Sequence, residues 1–402
     1  MYHYFSLLLC TILCLRATAA TAQEAVIVVP VADLIGQPLA SYKINSYADF
    51  PLCPRQLHNR YNGCPRLHQA LYNERVTLLK IVNNEACISI TQLFYTTNNH
   101  KQTTYWTDKN AIRTIDELKK NGIDTTAIPP ALSFNTPDVD TAHKNLITLI
   151  KPWFDPTTRR IFSAGTRFII NKEQTSQSPY IEVSAIDDQT LQPYTMRIDK
   201  KHCLLNTSKN KRGQRNLFIR IAREWAHLHN CFIPYVWGGS SFTSCSRAHQ
   251  IEEKKVHEPD AYFALCDYNE SPKTGFDCAG LVSRAAQTAG IPYFYKNTTT
   301  LAHYLKPITT IDSLQNGDLF WIPGHVMIIS DIEKRLLIEA RSYHHGYGKV
   351  HEIRLDKVFK DTKTYADLFK ALQEKKSITR IDKDGNPKEE ITKYTFLSLL
   401  AD

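Results

Sequence analysis

Residues 275–290 restrict the fold of this chain more than any other stretch, because they fix where one helix begins and ends. Asp277 is a good N-cap, and Gly290 followed by Pro292 ends the helix. Apolar residues recur between these limits at helical spacing and predict one buried face: Leu281, Val282, Ala285, Ala286 and Ala289. Cys278 then lies in the first turn, where free backbone N–H groups and the helix dipole favour a thiolate. The alternative is a small buried cysteine without chemistry.

A reactive cysteine needs a base, and His325 is the candidate. It precedes an apolar run, residues 326–329, so it is predicted to begin a strand that holds it rigidly and leaves it able to titrate. The alternative is a capping or core histidine.

Glu339 is the candidate that would orient this base. If residues 331–333 close a hairpin, Glu339 falls opposite His325 on the same face, where its carboxylate would raise the pKa of His325 and fix its tautomer. A slip of one residue would place Ala340 there, and Glu339 would then be an ordinary solvent-facing charge. The rivals for this third role follow in the chain: His344 and His345.

Two regions rich in short strands precede this part, at residues 23–125 and 126–208. A basic linker (residues 209–215) and a helix (residues 216–228) follow. Residues 234–241 read Pro-Tyr-Val-Trp-Gly-Gly-Ser-Ser, where the paired glycines allow close approach of the backbone to a ligand or a strand. The remainder predicts a nucleophile helix followed by antiparallel strands, which is an α+β domain.

The first 22 residues resemble a secretory signal, with an apolar core too short to span a bilayer and small residues before Gln23. We therefore expect export to the periplasm or the extracellular space, with an uncleaved anchor as the alternative and no integral membrane span in the body. The net charge of +9 comes from scattered Lys and Arg in a chain of 402 residues, which indicates no nucleic-acid groove. An anionic cell wall or membrane surface fits this charge equally well.

Export permits disulfides among the eight cysteines after residue 22. The local candidates are Cys53 with Cys64 and Cys245 with Cys266, and the connectivity stays open. A zinc site is rejected, because the cysteines lack close pairs and the histidines near Cys231 are poorly spaced. We expect neither a metal nor another cofactor.

Four motifs in order resemble those of the NlpC-type cell-wall peptidases, which are papain-like cysteine hydrolases. The likeness covers roughly residues 216–355, and its motifs are Tyr235-Val236-Trp237-Gly238-Gly239, Phe276-Asp277-Cys278-Ala279-Gly280-Leu281-Val282, Gly317-Asp318-Leu319 and Gly324-His325-Val326. It implies that Cys278 is the nucleophile, His325 the base and Glu339 the third polar residue. It further implies substrate-binding positions at Tyr235, Trp237, Asp277 and Ala279.

The resemblance gives these positions distinct tasks. The Tyr235 hydroxyl would serve the oxyanion or the substrate, and Asp277 would help to hold the substrate, including a free amine in members that carry SH3-like domains. Two departures bear on specificity. Ala279 stands where Ser is frequent, and the gap between Gly239 and Gly275 is unusually long.

The two N-terminal regions resemble the small SH3-like β-barrels that precede catalytic domains in bacterial cell-wall enzymes. The resulting domain prediction is a signal peptide (1–22), two SH3-like domains (23–125 and 126–208) and a peptidase domain (209–402). The predicted activity is cleavage of γ-D-glutamyl–diamino acid bonds in peptidoglycan stem peptides or their fragments. The alternatives are a cell-wall-binding protein with weak or no catalysis and a papain-like acyltransferase, which would exclude water.

Overall fold

A computed structural model describes most of the chain in ten segments. These are residues 22–47, 64–91, 93–97, 100–132, 145–171, 178–205, 210–247, 274–291, 295–342 and 347–400. Residues 1–21 of the predicted signal peptide, Cys53, Cys266, His344 and His345 lie outside them. Both the pairing of Cys53 with Cys64 and the rivalry of the two histidines for the third role therefore stay predictions.

The first N-terminal region consists of short strands and one helix, as its β-branched runs predict. They are β1 (Gln23–Ile27), β2 (Val31–Ile35), β3 (Arg66–Leu71), β4 (Arg75–Val82), β5 (Glu85–Ser89), β6 (Phe94–Thr97), β7 (His100–Gln102), β8 (Tyr105–Asp108), β9 (Ile112–Thr114) and α1 (Ile115–Lys120). Seven of the described strands form one sheet in the order β3-β2-β8-β5-β4-β1-β9. Since β3 and β9 are its edges, the described residues form an open sheet, and an SH3-like barrel is not seen.

The second region is built from smaller sheets. Its strands are β10 (Leu146–Leu149), β11 (Trp153–Asp155), β12 (Arg160–Phe162), β13 (Arg167–Ile169), β14 (Tyr180–Ile186), β15 (Pro193–Asp199) and β16 (Cys203–Leu204). Among the described residues they form a three-stranded sheet, β13-β10-β16, and the hairpins β11-β12 and β14-β15. Their inward residues pack with Tyr72 of the first region into one apolar cluster, so the two regions share buried surface.

The C-terminal half contains the nucleophile helix and the main antiparallel sheet. Its elements are α2 (Lys211–Ala226), β17 (Cys231–Phe232), β18 (Ser240–Ser241), β19 (Ser246–Arg247), β20 (Gly275–Phe276), α3 (Cys278–Thr288), β21 (Tyr295–Lys296), α4 (Thr298–Tyr304), β22 (Pro307–Ile308), β23 (Leu319–Ile322), β24 (His325–Asp331), β25 (Leu336–Arg341), β26 (Lys349–Arg354), α5 (Tyr365–Gln373), β27 (Ile378–Ile381), β28 (Pro387–Ile391) and β29 (Thr395–Leu397).

Six of these strands pair antiparallel in the order β22-β29-β23-β24-β25-β26. One face packs against α2 and α3 through residues such as Val326, Ile328 and Ile338. The other face carries Met327 and Leu337, which pack with Leu368 of α5. The mixed helix and antiparallel-sheet architecture agrees with the α+β prediction for this half. None of the helices in the described part of the chain has both the length and the apolar character that a membrane crossing requires.

Helix α2 begins earlier than predicted, at Lys211 instead of residue 216, so most of the predicted basic linker is helical. The Asn210 side chain accepts a hydrogen bond from the Gly213 N–H (2.6 Å) and caps the helix. Arg215 is buried and its Nη1 lies 2.6 Å from Asp318 Oδ1, so this basic residue ties the helix to the start of β23. The prediction that Arg215 belongs to a basic linker was therefore wrong.

A disulfide joins Cys231 to Cys245, with 5.7 Å between their Cα atoms. The predicted pairing of Cys245 with Cys266 is therefore wrong. The physical reason is the pairing of β17 with β19, in which Phe232 lies opposite Ser246, because this ladder brings Cys245 beside Cys231. Strands β17 and β19 have only two residues each, which is too short for an alternating pattern in the sequence to predict them.

The first region is attached directly to the nucleophile helix. Arg284 of α3 is 2% exposed, and its guanidinium donates to Glu74 Oε1 (2.7 Å), to the Gln69 carbonyl (3.0 Å) and to the Ser240 carbonyl (2.8 Å). Through these three of its acceptors the buried arginine fixes the helix against both the first region and β18. The domain boundaries stay a prediction, but the two parts meet through charge-assisted hydrogen bonds.

Candidate active site

Cys278 opens α3 directly after the two-residue strand β20. Asp277 caps the helix by accepting the Gly280 N–H at 2.5 Å, as the sequence predicts. Gly280 is required by a close approach, since a Cβ atom there would lie 1.9 Å from the Gly239 carbonyl oxygen. Gly239 itself accepts the Asp277 N–H at 3.1 Å. Because Gly280 has no side chain, the loop that contains Gly239 can pack directly against the first turn of the nucleophile helix.

Cys278 is buried, and the backbone N–H groups of Ala279 and Val326 act on its sulfur as hydrogen-bond donors. The ladder between β24 and β25 runs from Ile328 to Asp331 and does not extend to Val326 or His325. The pKa of the Cys278 thiol is raised to about 12, chiefly by burial and also by the charge of Asp277, although Lys296 and the two N–H groups act in the opposite direction. The resting group is thus a thiol, and the prediction that the helix terminus would give a thiolate underestimated burial.

Glu339 approaches His325 by a different register from the one predicted. Ile328 lies opposite Ile338, and the ladder shifts between Ile329 and Asp331, so Glu339 is diagonal to His325 by two positions on the same face. The prediction that they lie directly opposite is wrong, because the turn occupies residues 332–335 instead of 331–333, and the bulge between Ile329 and Asp331 offsets this displacement only in part. The diagonal is within reach of a long side chain, and Glu339 Oε2 lies 2.6 Å from His325 Nε2.

Glu339 is the centre of a buried charge cluster. Its Oε2 accepts from Arg380 Nη2 (3.1 Å), its Oε1 lies 3.1 Å from His351 Nε2, and Arg341 Nη1 lies 3.6 Å from Oε1. Glu339 and Arg341 are 0% exposed, so this is not a solvent-facing charge. Burial alone would raise the pKa of Glu339, but Arg341 and the hydrogen bonds with His325 and His351 hold it well below its ordinary value. The carboxylate stays ionised behind the candidate base.

The same cluster keeps His325 neutral. Burial and the positive charge of Arg380 lower the pKa of His325 to about 4, although Glu339 acts in the opposite direction. The sequence predicted only the Glu339 effect, because Arg380 lies on β27, far along the chain. A neutral imidazole bound through Nε2 leaves Nδ1 as the nitrogen that can take a proton.

This arrangement predicts an unusual acid limit of activity. Because the folded-state pKa of His325 lies below 6.5, the imidazole keeps its basic form as the pH falls to about 4. We expect kcat/KM for peptide hydrolysis to fall with an apparent pKa of about 4, and Arg380→Met to move this limit to higher pH. Between pH 6.5 and 4 the unfolded chain binds more protons, so stability should decrease as pH falls through this window.

The measurement is a pH profile of kcat/KM from pH 3.5 to 9, with thermal unfolding recorded over the same range. An acid limit at the ordinary histidine pKa near 6.5 in the wild-type protein, or no upward movement in a folded Arg380→Met protein, would contradict this assignment.

The four predicted substrate-binding residues differ in how exposed they are and in what they contact. Tyr235 is half-buried and forms a bridge to Phe276, just before Cys278, while Trp237 is 53% exposed. Ala279 is buried with its side chain in the apolar cluster, and it offers sulfur its N–H group. Asp277 is engaged by the helix and by Lys296 Nζ at 2.5 Å. The substrate roles of these four residues stay predictions.

Sequence reasoning missed Arg341, His351, Arg380 and Lys296. Arg341 could have been found, because Glu339 and Arg341 alternate on one strand and share a face. The others depend on pairings between distant segments. Among the described residues, no group of three His, Cys, Asp or Glu side chains is placed to hold a metal ion.

Comparison with known proteins identifies the fold. No protein-family model and no curated protein matches the sequence. A solved NlpC/P60 family protein from Bacillus cereus is similar over 83% of this chain and 94% of its own, with 14% identity and a TM-score of 0.51. At this identity the likeness shows the NlpC/P60 fold alone.

Two more distant solved structures are NlpC2 from Trichomonas vaginalis and the peptidoglycan hydrolase RipB from Mycobacterium tuberculosis. NlpC2 has 12% identity, 84% and 94% coverage of this chain and its own, and a TM-score of 0.30. RipB has 22% identity, 36% and 59% coverage, and a TM-score of 0.24. Scores this low carry no argument about this chain.

Proposed function

We propose that this protein is an exported cysteine hydrolase that cleaves peptidoglycan stem peptides or their fragments at the bond between a γ-D-glutamyl unit and a diamino acid. One observation carries the proposal: the Cys278 sulfur meets the Val326 N–H, next to a histidine whose Nε2 is held by a buried carboxylate. This arrangement supports roles for Cys278 as nucleophile, His325 as base and Glu339 as the orienting group. The NlpC/P60 fold and the ordered motifs support the substrate class.

The proposed reaction begins from a neutral pair. His325 Nδ1 takes the thiol proton as sulfur attacks the carbonyl carbon, and the Tyr235 hydroxyl donates to the oxyanion. The imidazolium then gives this proton to the leaving amine, which departs and leaves a thioester. A water molecule gives a proton to His325 as it attacks the thioester, and that proton returns to sulfur when the acid product leaves. Glu339 supplies the counter-charge for the imidazolium at both stages.

The disulfide supports an exported location. Bonds such as Cys231–Cys245 form and persist in oxidising compartments and are rare in the cytosol. It links the two strands on either side of residues 233–244, which include Tyr235 and Trp237, so it also supports the loop proposed to meet the substrate. The N-terminal regions are proposed to be the SH3-like modules that accompany such enzymes.

The test is mass spectrometry of products from defined peptides. A γ-D-glutamyl–diamino acid peptide should be cut at this bond to give two products whose masses sum to that of the peptide plus one water, with OH added at the new carboxyl group and H at the new amine. A matched peptide with an α-D-glutamyl linkage should remain intact. Cleavage of both peptides at equal rates would contradict the bond assignment, and cleavage of neither, together with no release from purified peptidoglycan, would refute the function.

A further inference from the structure

A buried lysine, Lys296, forms an ion pair with the carboxylate of Asp277, the residue before the candidate nucleophile. Lys296 Nζ lies 2.5 Å from Asp277 Oδ1, the oxygen that also caps α3, and the lysine side chain is 1% exposed. A buried ammonium is costly unless it is paired, so this ion pair is part of the built site and not a surface contact. The charge of Asp277 therefore has a partner within the protein.

The position of Lys296 is fixed by backbone pairing on one side and by a missing side chain on the other. Its strand β21 pairs in parallel with β6, where Lys296 lies opposite Tyr95. Nζ also donates to the Gly239 carbonyl (3.4 Å), and a Cβ atom on Gly280 would lie 2.9 Å from it. The glycine that admits the Gly239 loop thus also admits the ammonium group.

The ion pair lies within electrostatic reach of the reacting sulfur. Asp277 raises the pKa of Cys278, and Lys296 lowers it. A second ammonium group brought by a substrate to Asp277 would meet the Lys296 charge around the same carboxylate, and like charges this close repel. A substrate that presents a neutral group here meets no such opposition.

We propose that Lys296 takes the place of a substrate ammonium at Asp277, so that the enzyme selects peptides whose N-terminus is acylated over peptides with a free N-terminal amine. This inference rests on the proposed hydrolase function and names its substrate class: stem peptides still joined to another group through their N-terminal nitrogen. The Asp277 carboxylate then serves to cap the helix and to hold Lys296, and does not recognise an amine.

The experiment compares two γ-D-glutamyl–diamino acid peptides that carry one residue before the glutamyl unit and differ only in N-terminal acetylation. The wild-type protein should cleave the acetylated peptide at least as fast, in kcat/KM, as the free peptide. Lys296→Met keeps most of the side-chain length but removes the charge, and it should shift this ratio toward the free peptide by roughly tenfold, since it leaves an unpaired carboxylate.

Two control variants separate charge from fold. Lys296→Arg should keep the wild-type ratio, and Lys296→Met combined with Asp277→Asn should lose the shift, because asparagine still caps the helix but carries no charge. A wild-type preference of tenfold or more for the free peptide, or an unchanged ratio in a folded Lys296→Met protein, would overturn the inference.

Binding distinguishes this inference from the proposed function. Calorimetry with Cys278→Ala, alone and combined with Lys296→Met, gives the ratio of the two peptide Kd values without any cleavage. If peptides bind with the expected ratios but wild type cuts neither, the hydrolase proposal fails and the selectivity stands. If wild type cuts both and the Kd ratio does not respond to Lys296→Met, the selectivity fails alone. Absence of binding by either peptide overturns both.

Discussion

Replacing Cys278 by alanine is expected to abolish peptide release from purified peptidoglycan, with turnover reduced by at least about 10³-fold, because no other group can form the thioester. The substitution removes only a sulfur atom from a buried position that is 8% exposed. The free energy of unfolding should therefore change by only about 1 kcal/mol. Product release by chromatography and denaturant unfolding measure the two quantities separately.

Cys203 provides the matched control. It is a free cysteine, 7% exposed, and lies on β16 in the second region, where its sulfur approaches the carbonyls of Asp199 and Lys200. Cys203→Ala should cost similar stability and leave turnover within about twofold. Retained turnover in folded Cys278→Ala would remove the nucleophile from the mechanism, and an equal loss in both variants would show a general effect on folding.

Replacing Glu339 by alanine is expected to damage folding and catalysis together. Arg341 and Arg380 would remain buried without their shared counter-charge, and breaking such an arrangement costs about 3–5 kcal/mol. Glu339→Gln keeps the size and an acceptor for His325, so it should fold better and isolate the charge. We expect its kcat to fall by about 10²-fold with a smaller change in KM, because the imidazolium loses its counter-charge.

Glu182→Ala is the control for a strand glutamate paired with arginine across the ladder. Its partner Arg197 lies at 3.0 Å with a side chain that is 72% exposed, so the substitution should change stability by no more than about 1 kcal/mol. A Glu339→Gln protein with wild-type kcat would show that His325 needs no buried charge. A fall in kcat of equal size in a folded His345→Ala protein would transfer the orienting role to that residue.

The sequence predicted the local parts of the candidate site better than the distant ones. Cys278 at a helix start and His325 at a strand start follow from capping and periodicity, which act over a few residues. The relation of Glu339 to His325 required the register of the hairpin, and a turn placed later in the chain than predicted changed that register. The resting thiol could not be predicted either, since it depends on how completely the folded chain covers sulfur.

The missing residues share one physical cause. Arg380 reaches Glu339 from a hairpin formed by β27 and β28, and nothing in the neighbourhood of Arg380 in the sequence indicates that contact. Lys296 reaches Asp277 only because β21 pairs with a strand of the first region. Contacts of this kind depend on the packing of segments far apart in the chain, and local pattern carries no record of them.

Because β6 and β21 pair in parallel, the candidate site depends on a strand of the first region, and the two should be inherited together. Lys296 is placed by a ladder whose other strand, β6, belongs to the first region, and Arg284 adds further bonds to the seven-stranded sheet of that region. A recombination event that exchanged the N-terminal region for an unrelated binding module would also remove the strand that positions Lys296. Chimeras should therefore preserve the site only when both strands come from the same parent.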